Sequence, residues 1–312
     1  MKMACVFPGQ GSQSVGMLQG WMHLPAVESL LRDADDALGE SISTLIRDGP
    51  PEALSLTVNT QPAMLLAGVC AWEAWTRAGG ASPKVLAGHS LGEYAALVAA
   101  GVIGLRDALR LVRLRAQAMQ EAVPVGSGAM AAILGLDDEE VIAQCAATAH
   151  ELGRVVEAVN FNAPSQVVIA GDRAAVEAAC LALKARGAKR ALPLPVSAPF
   201  HSRLLAPAGE RLAEALGRLE LRPPSIDVIN NVDVRVEHNP QAIAAALVRQ
   251  AYHPVRWVEC IRAMVHSGVD TLIEMGPGKV LAGLASRIDR SLRVFTVYDP
   301  STLEEALAGT SA

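Results

Sequence analysis

The sequence predicts an α/β protein with a compact β-α-β-β-α-β unit inserted into a larger domain. Three observations carry this. The apolar run Val85-Leu86-Ala87 turns through Gly88-x-Ser90-x-Gly92 straight into a helical pattern at Tyr94, Leu97 and Val98, which is a strand–turn–helix. Residues 126–196 alternate strand and helix patterns in the order βαββαβ, a ferredoxin-like arrangement. Finally, 51% hydrophobic and 19% charged residues over 312 positions supply a large core and exclude global disorder.

The formal net charge of −5 argues against a general nucleic-acid binder, so no such partner is expected. Cys5, Cys70, Cys145, Cys180 and Cys260 are scattered, without a Cys-x-x-Cys pair or a histidine at ligand spacing. They read as free, mostly buried thiols of a reducing compartment, not as a disulfide frame or a metal site. The first residues reach Pro8-Gly9 too early for a signal peptide. The apolar run from Pro62 to Trp72 is broken by Glu73 and is too short to cross a bilayer. A cytoplasmic chain with no membrane partner, no metal and no cofactor is the expectation.

In chain order, Met3 to Phe7 reads as a strand running into the glycine loop Pro8-Gly9-Gln10-Gly11-Ser12-Gln13. Its spacing fits neither phosphate-binding motif, so a plain turn and a functional loop stay open. Helical patterns follow over Ala26–Leu38, Ile42–Arg47 and Thr60–Ala78. At the elbow, glycines on both sides of Ser90 allow a strained turn that exposes its hydroxyl. The turn also sets the Leu91 N–H at a helix start, where it can stabilise negative charge. An ordinary glycine-rich turn fits the same five residues.

On a helical wheel over Leu105–Glu121, Ala108, Leu111, Val112, Ala118 and Met119 fall within about 60° of Arg115, at ~100° per residue. Arg115 therefore stands on the apolar face, where a guanidinium is costly unless paired. It is either half of a core salt bridge or a fixed cation for an anionic group. The inserted unit reads as strand Ala129–Leu134, helix Asp137–Thr148, strands Val155–Asn160 and Gln166–Ala170 around Asn162-Ala163-Pro164-Ser165, helix Asp172–Arg186 closed by Gly187, and strand Arg190–Val196. Lys184, Arg186, Lys189 and Arg190 form a basic run that suits a solvated helix end, an acidic partner or a phosphate.

The loop Ser197-Ala198-Pro199-Phe200-His201-Ser202 then opens a helix expected over Leu204–Leu219. There His201 reads as a helix cap or as a neutral base held uncharged by the helix N-terminus. Strand Asp227–Asn230 precedes a helix begun by Asn239-Pro240 and ended near Gln250 by Pro254. Carbonyls of its last turn lack intrahelical partners, so the Gln250 C=O is available to a ring N–H. Strand Thr271–Met275 and the turn Gly276-Pro277-Gly278-Lys279, opening another helix, come last.

Taken together, Phe7-Pro8-Gly9-Gln10-Gly11-Ser12-Gln13, Gly88-His89-Ser90-Leu91-Gly92-Glu93-Tyr94, Arg113-Leu114-Arg115, Ala198-Pro199-Phe200-His201, Asn230-Asn231-Val232-Asp233, Val248-Arg249-Gln250 and Glu274-Met275-Gly276-Pro277-Gly278-Lys279 resemble the malonyl-CoA:acyl carrier protein transacylase family over essentially the whole chain. The resemblance implies an α/β-hydrolase-like large domain (1–125 and 197–312), a ferredoxin-like subdomain (126–196) and an active site between them. It implies Ser90 as nucleophile, His201 as its base, the backbone N–H groups of Gln10 and Leu91 as oxyanion hole, Arg115 as partner of the malonyl carboxylate and the Gln250 carbonyl as the group orienting His201. Phe200, just before the histidine, fits malonyl over methylmalonyl. The implied partners are malonyl-CoA and an acidic, phosphopantetheinylated acyl carrier protein, and fatty-acid biosynthesis is the default pathway. A polyketide cluster, a malonate-decarboxylase assembly, a thioester hydrolase on the same elbow and a non-catalytic carrier-docking subunit are the competing readings.

Overall fold

In the computed structural model, residues 2–196 and 198–311 are described; the expected domain border at position 197 lies outside them. The described strands are β1 (Met3–Phe7), β2 (Val85–Gly88), β3 (Gly128–Leu134), β4 (Val156–Ala163), β5 (Gln166–Asp172), β6 (Arg190–Pro193), β7 (Asp227–Ile229), β8 (Thr271–Met275) and β9 (Arg293–Val297). One sheet has the order β7-β2-β1-β8-β9, and every neighbouring pair is parallel. Strands β1, β2 and β8 are buried along their whole length, as parallel strands covered by helices on both faces must be. Their carboxyl ends open onto the glycine loop after β1, the elbow after β2 and Asn230-Asn231 after β7, so three loops meet at one edge of the sheet.

The second sheet is antiparallel, with the order β4-β5-β3-β6. Period-2 alternation decides what each face covers. Ala131, Ile133, Val167 and Ile169 face the helices Asp138–Leu152 and Arg173–Ala185 and make a small core with Val141, Val176 and Leu183. The intervening Met130, Val168 and Ala170 join the core of the large sheet and its helices. Strand β4 is also tied by backbone to the segment between helices Pro240–Gln250 and Trp257–His266: Phe161 N–H donates to Val255 C=O at 3.0 Å, and Val255 N–H to Val159 C=O at 2.9 Å. The architecture is thus an α/β-hydrolase-like part carrying a ferredoxin-like βαββαβ part.

Several boundaries differ from the sequence reading. Asn162 and Ala163 belong to β4, which leaves Pro164-Ser165 as the turn; Ser165 takes a positive φ of 58° there. Strand β6 stops at Pro193; Leu194 N–H still donates to Met130 C=O at 2.9 Å, and Pro195, next in line, has no N–H. The helix expected from Leu204 is a short 3-10 turn, Arg203–Leu205, followed by an α-helix over Ala206–Leu216. The helices Trp257–His266 and Pro300–Thr310 and edge strand β9 are further elements. At the Gly276-Pro277-Gly278-Lys279 turn, Glu274 accepts from Leu281 N–H at 3.1 Å and Ala282 N–H at 2.8 Å, bridging β8 to the next helix. Burial pushes its carboxyl up to about 7.

Candidate active site

Ser90 occupies the elbow with φ 51°, a left-handed conformation that a non-glycine residue adopts only under local constraint. Both flanking glycines are sterically required. A Cβ on Gly88 would lie 1.8 Å from the Gly92 carbonyl carbon, and one on Gly92 would lie 2.0 Å from the Phe7 carbonyl oxygen. The second collision is with β1 rather than across the elbow, so the motif also records how closely β1 approaches. Asn231 ties the turn from outside: its Oδ1 accepts from Ser90 N–H at 2.7 Å, and its Nδ2 donates to Gly88 C=O at 2.8 Å.

Ser90 Oγ lies 2.7 Å from His201 Nε2, and His201 Nδ1 lies 2.8 Å from the Gln250 carbonyl oxygen. A carbonyl only accepts, so Nδ1 carries the proton and Nε2 is left bare to receive the serine O–H. His201 is 4% exposed and its pKa is pushed down to about 3, first by burial and then by the Arg115 charge. The helix N-terminus expected from the sequence is not what keeps the ring neutral. The α-helix begins only at Ala206, and burial beside a cation does that work instead.

Arg115 is 1% exposed. Its Nη1 donates to Gln61 Oε1 at 2.9 Å, and its Nη2 donates to Ser90 Oγ at 3.1 Å and Gln250 Oε1 at 3.0 Å. Its guanidinium carbon lies 5.4 Å from the centre of the Tyr94 ring. Among the described residues no carboxylate forms an ion pair with it, and its Nε has no hydrogen-bond partner. The core salt bridge left open by the sequence is therefore not made. A cation held by neutral amides keeps its charge available to an incoming anion.

Ser90, His201, Arg115 and Gln61 line one cavity of about 590 Å³ with Gln10, Leu91, Asn160, Asn162, Met130 and Phe200. Leu91 stands just before the helix Gly92–Ala99, so its N–H is among those without an intrahelical acceptor. The Gln10 loop is brought over the elbow by Gly9, where a Cβ would lie 2.6 Å from the His89 carbonyl oxygen. His89 turns its ring to Asn162 (2.7 Å) and Trp257 (5.5 Å between centroids), away from the Ser90 hydroxyl. Lys184, Arg186, Lys189 and Arg190 are exposed and do not line this cavity. Sequence reasoning assigned no role to Gln61, Glu93 or Asn231. Little in the sequence marks them: Gln61 follows the polar pair Asn59-Thr60 near a helix start, and Glu93 sits in a first helical turn, where an acidic residue is ordinary.

A serine on an α/β elbow, paired with a neutral histidine and a buried arginine, defines the serine acyl-transfer class of site. The family model described as Acyl transferase domain matches residues 4–294, and the chain belongs to that family. Within it the chain is one of the malonyl-CoA:acyl carrier protein transacylases. The Escherichia coli K12 protein named malonyl CoA-acyl carrier protein transacylase is 51% identical over 307 residues, covering 98% of this chain and 99% of its own. The crystal structure of the acyl-carrier-protein S-malonyltransferase of Burkholderia pseudomallei 1710b is 60% identical, with a TM-score of 0.97 over 99% of this chain and 100% of that one. A malonyl-transacylase solved in complex with its type II PKS acyl-carrier protein is 50% identical, with a TM-score of 0.97 over 99% and 100%.

Proposed function

We propose that this protein transfers malonyl from coenzyme A to the phosphopantetheine thiol of an acyl carrier protein by a ping-pong route, in fatty-acid biosynthesis and in the cytoplasm. No described helix is long and apolar enough to cross a membrane. The observation that carries the reading is the placement of a guanidinium with no ion pair among the described residues 3.1 Å from a serine hydroxyl that also meets a neutral imidazole. That spacing suits a short acyl group with a carboxylate at its far end. We further propose that residues 1–125 and 197–312 form the large domain around subdomain 126–196.

In the first half-reaction His201 Nε2 takes the Ser90 proton while Oγ forms a bond to the thioester carbon. The carbonyl electron pair moves onto oxygen and is received by the N–H groups of Leu91 and Gln10. Loss of one such donor costs about 10²–10³ in rate. The oxyanion then collapses, the C–S bond breaks, and the imidazolium returns its proton to the departing thiolate. In the second half-reaction the carrier thiol gives its proton to His201, attacks the malonyl ester, and Ser90 leaves reprotonated. Throughout, Arg115 holds the free carboxylate, while the Gln250 carbonyl stabilises the protonated ring in place of a triad acid. Transfer of labelled malonyl to purified carrier protein, by wild type and Ser90→Ala, tests the reading. Release of free malonate without carrier labelling supports a hydrolase instead.

A further inference from the structure

The Gln250 side chain makes contacts that the route above does not use. Its Oε1 faces a group that can only donate, Arg115 Nη2 at 3.0 Å. Its Nε2 faces two groups that can only accept, the Ser90 carbonyl and Glu93 Oε2, each at 2.9 Å. A single orientation of the amide satisfies all three, so its direction is fixed by partners and not by convention. Glu93 is 2% exposed, and the oxygen that holds Gln250 also accepts from Asn231 N–H at 2.9 Å. Asn231 in turn holds both ends of the elbow.

We infer that Glu93 is a positioning residue that, by orienting the Gln250 amide, aims the Arg115 guanidinium at the acyl carboxylate and so sets the preference for carboxylated acyl groups. The arrangement solves a conflict. A carboxylate bonded directly to Arg115 would stabilise the buried cation but occupy the place of the substrate's carboxylate. No polar partner at all would leave the buried guanidinium without hydrogen bonds or a fixed direction. An amide held at one end by the accepting Glu93 oxygen and presenting its own oxygen to Arg115 fixes the guanidinium by hydrogen-bond geometry and leaves guanidinium N–H groups unspent. Burial pushes the Glu93 carboxyl up to about 7, against the opposing pull of the Gln250 and Asn231 donors and the Arg115 charge.

The inference rests on the reading of Arg115 as the malonyl-carboxylate partner, so Arg115→Ala is measured beside two variants of Glu93. Glu93→Gln keeps the reach and an accepting oxygen but not the charge. Glu93→Asp keeps the charge but shortens the reach. The readout is the ratio of kcat/KM for malonyl-CoA to that for acetyl-CoA, which a purely structural role would not move. Expected are a ratio within about threefold of wild type for Glu93→Gln and a fall of about ten- to hundredfold for Glu93→Asp, the cost of leaving one buried amide donor without its acceptor. Glu93→Asp with an unchanged ratio, or Glu93→Gln with a collapsed one, overturns the assignment. If Glu93→Asp does not fold, Glu93→Met, of similar reach but with no accepting oxygen, is read in its place: the same fall is expected, and an unchanged ratio overturns the assignment. Should Arg115→Ala itself leave the ratio unchanged, the error lies in the reading of Arg115.

Discussion

Replacing Arg115 with alanine separates substrate recognition from the chemistry of the elbow. The guanidinium is buried, lies 3.1 Å from Ser90 Oγ and has no carboxylate partner among the described residues. A malonyl carboxylate that engages it through two charge-assisted hydrogen bonds gains about 1.5–3 kcal/mol from each. The sum of about 3–6 kcal/mol corresponds to roughly 10²–10⁴ in kcat/KM for malonyl-CoA at 1.36 kcal/mol per decade. An acetyl group has no carboxylate and leaves the cation unpaired, so its transfer is spared or improved, and the malonyl-to-acetyl ratio falls by a similar factor. Stability moves less. Removal leaves the amide oxygens of Gln61 and Gln250 without their donor, at about 1–3 kcal/mol each, but it also removes a buried charge whose desolvation costs several kcal/mol. The assay is initial-rate transfer of labelled malonyl and acetyl from coenzyme A to carrier protein, with urea unfolding as the control for folding. A folded variant whose ratio stays within about threefold of wild type refutes the role of Arg115.

Three further predictions follow from the same geometry. Ser90→Ala mixed with malonyl-CoA shows no mass increase on the intact protein, whereas wild type gains one malonyl group; an adduct on the variant moves the nucleophile elsewhere. Because the His201 pKa is depressed to about 3, the ring is an unprotonated base throughout the range from about pH 5 to 8. Rapid-quench rates of malonyl-enzyme formation are therefore flat for this group between about pH 8 and 5, with no break near the ordinary histidine value of about 6.5. A break there that disappears in His201→Ala places the base outside its buried setting. Gly88→Ala sets a Cβ 1.8 Å from Gly92 backbone that has no side chain to yield. It lowers unfolding free energy by about 3 kcal/mol or more, or gives no folded protein; wild-type stability in urea would disprove the steric account of the motif.

Much of this protein was legible from one dimension because the decisive features are local. The strand–turn–helix at Ser90 follows from two glycines and the runs beside them. The helix Leu105–Glu121 and the position of Arg115 on its apolar face follow from a 3.6-residue period, and the βαββαβ order follows from alternating periods in one contiguous segment. The Asn239-Pro240 start was readable for the same reason: the Asn239 side chain caps the N–H groups of Gln241 and Ala242, its own neighbours.

What tertiary structure alone decided is who meets whom across the chain. Ser90 and His201 are 111 positions apart and Arg115 and Gln250 are 135 apart; no periodicity encodes such distances. The neutrality of His201 belongs to this class, because it comes from burial beside Arg115 and not from the helix that follows it. So does the meaning of Glu93, which within its own segment is only an acidic residue in a first helical turn. It becomes an anchor because Asn231 and Gln250 are folded against it from distant segments. Local periodicity fixes which face a side chain occupies, whereas the charge state and hydrogen-bond partners of a buried group depend on every segment packed around it.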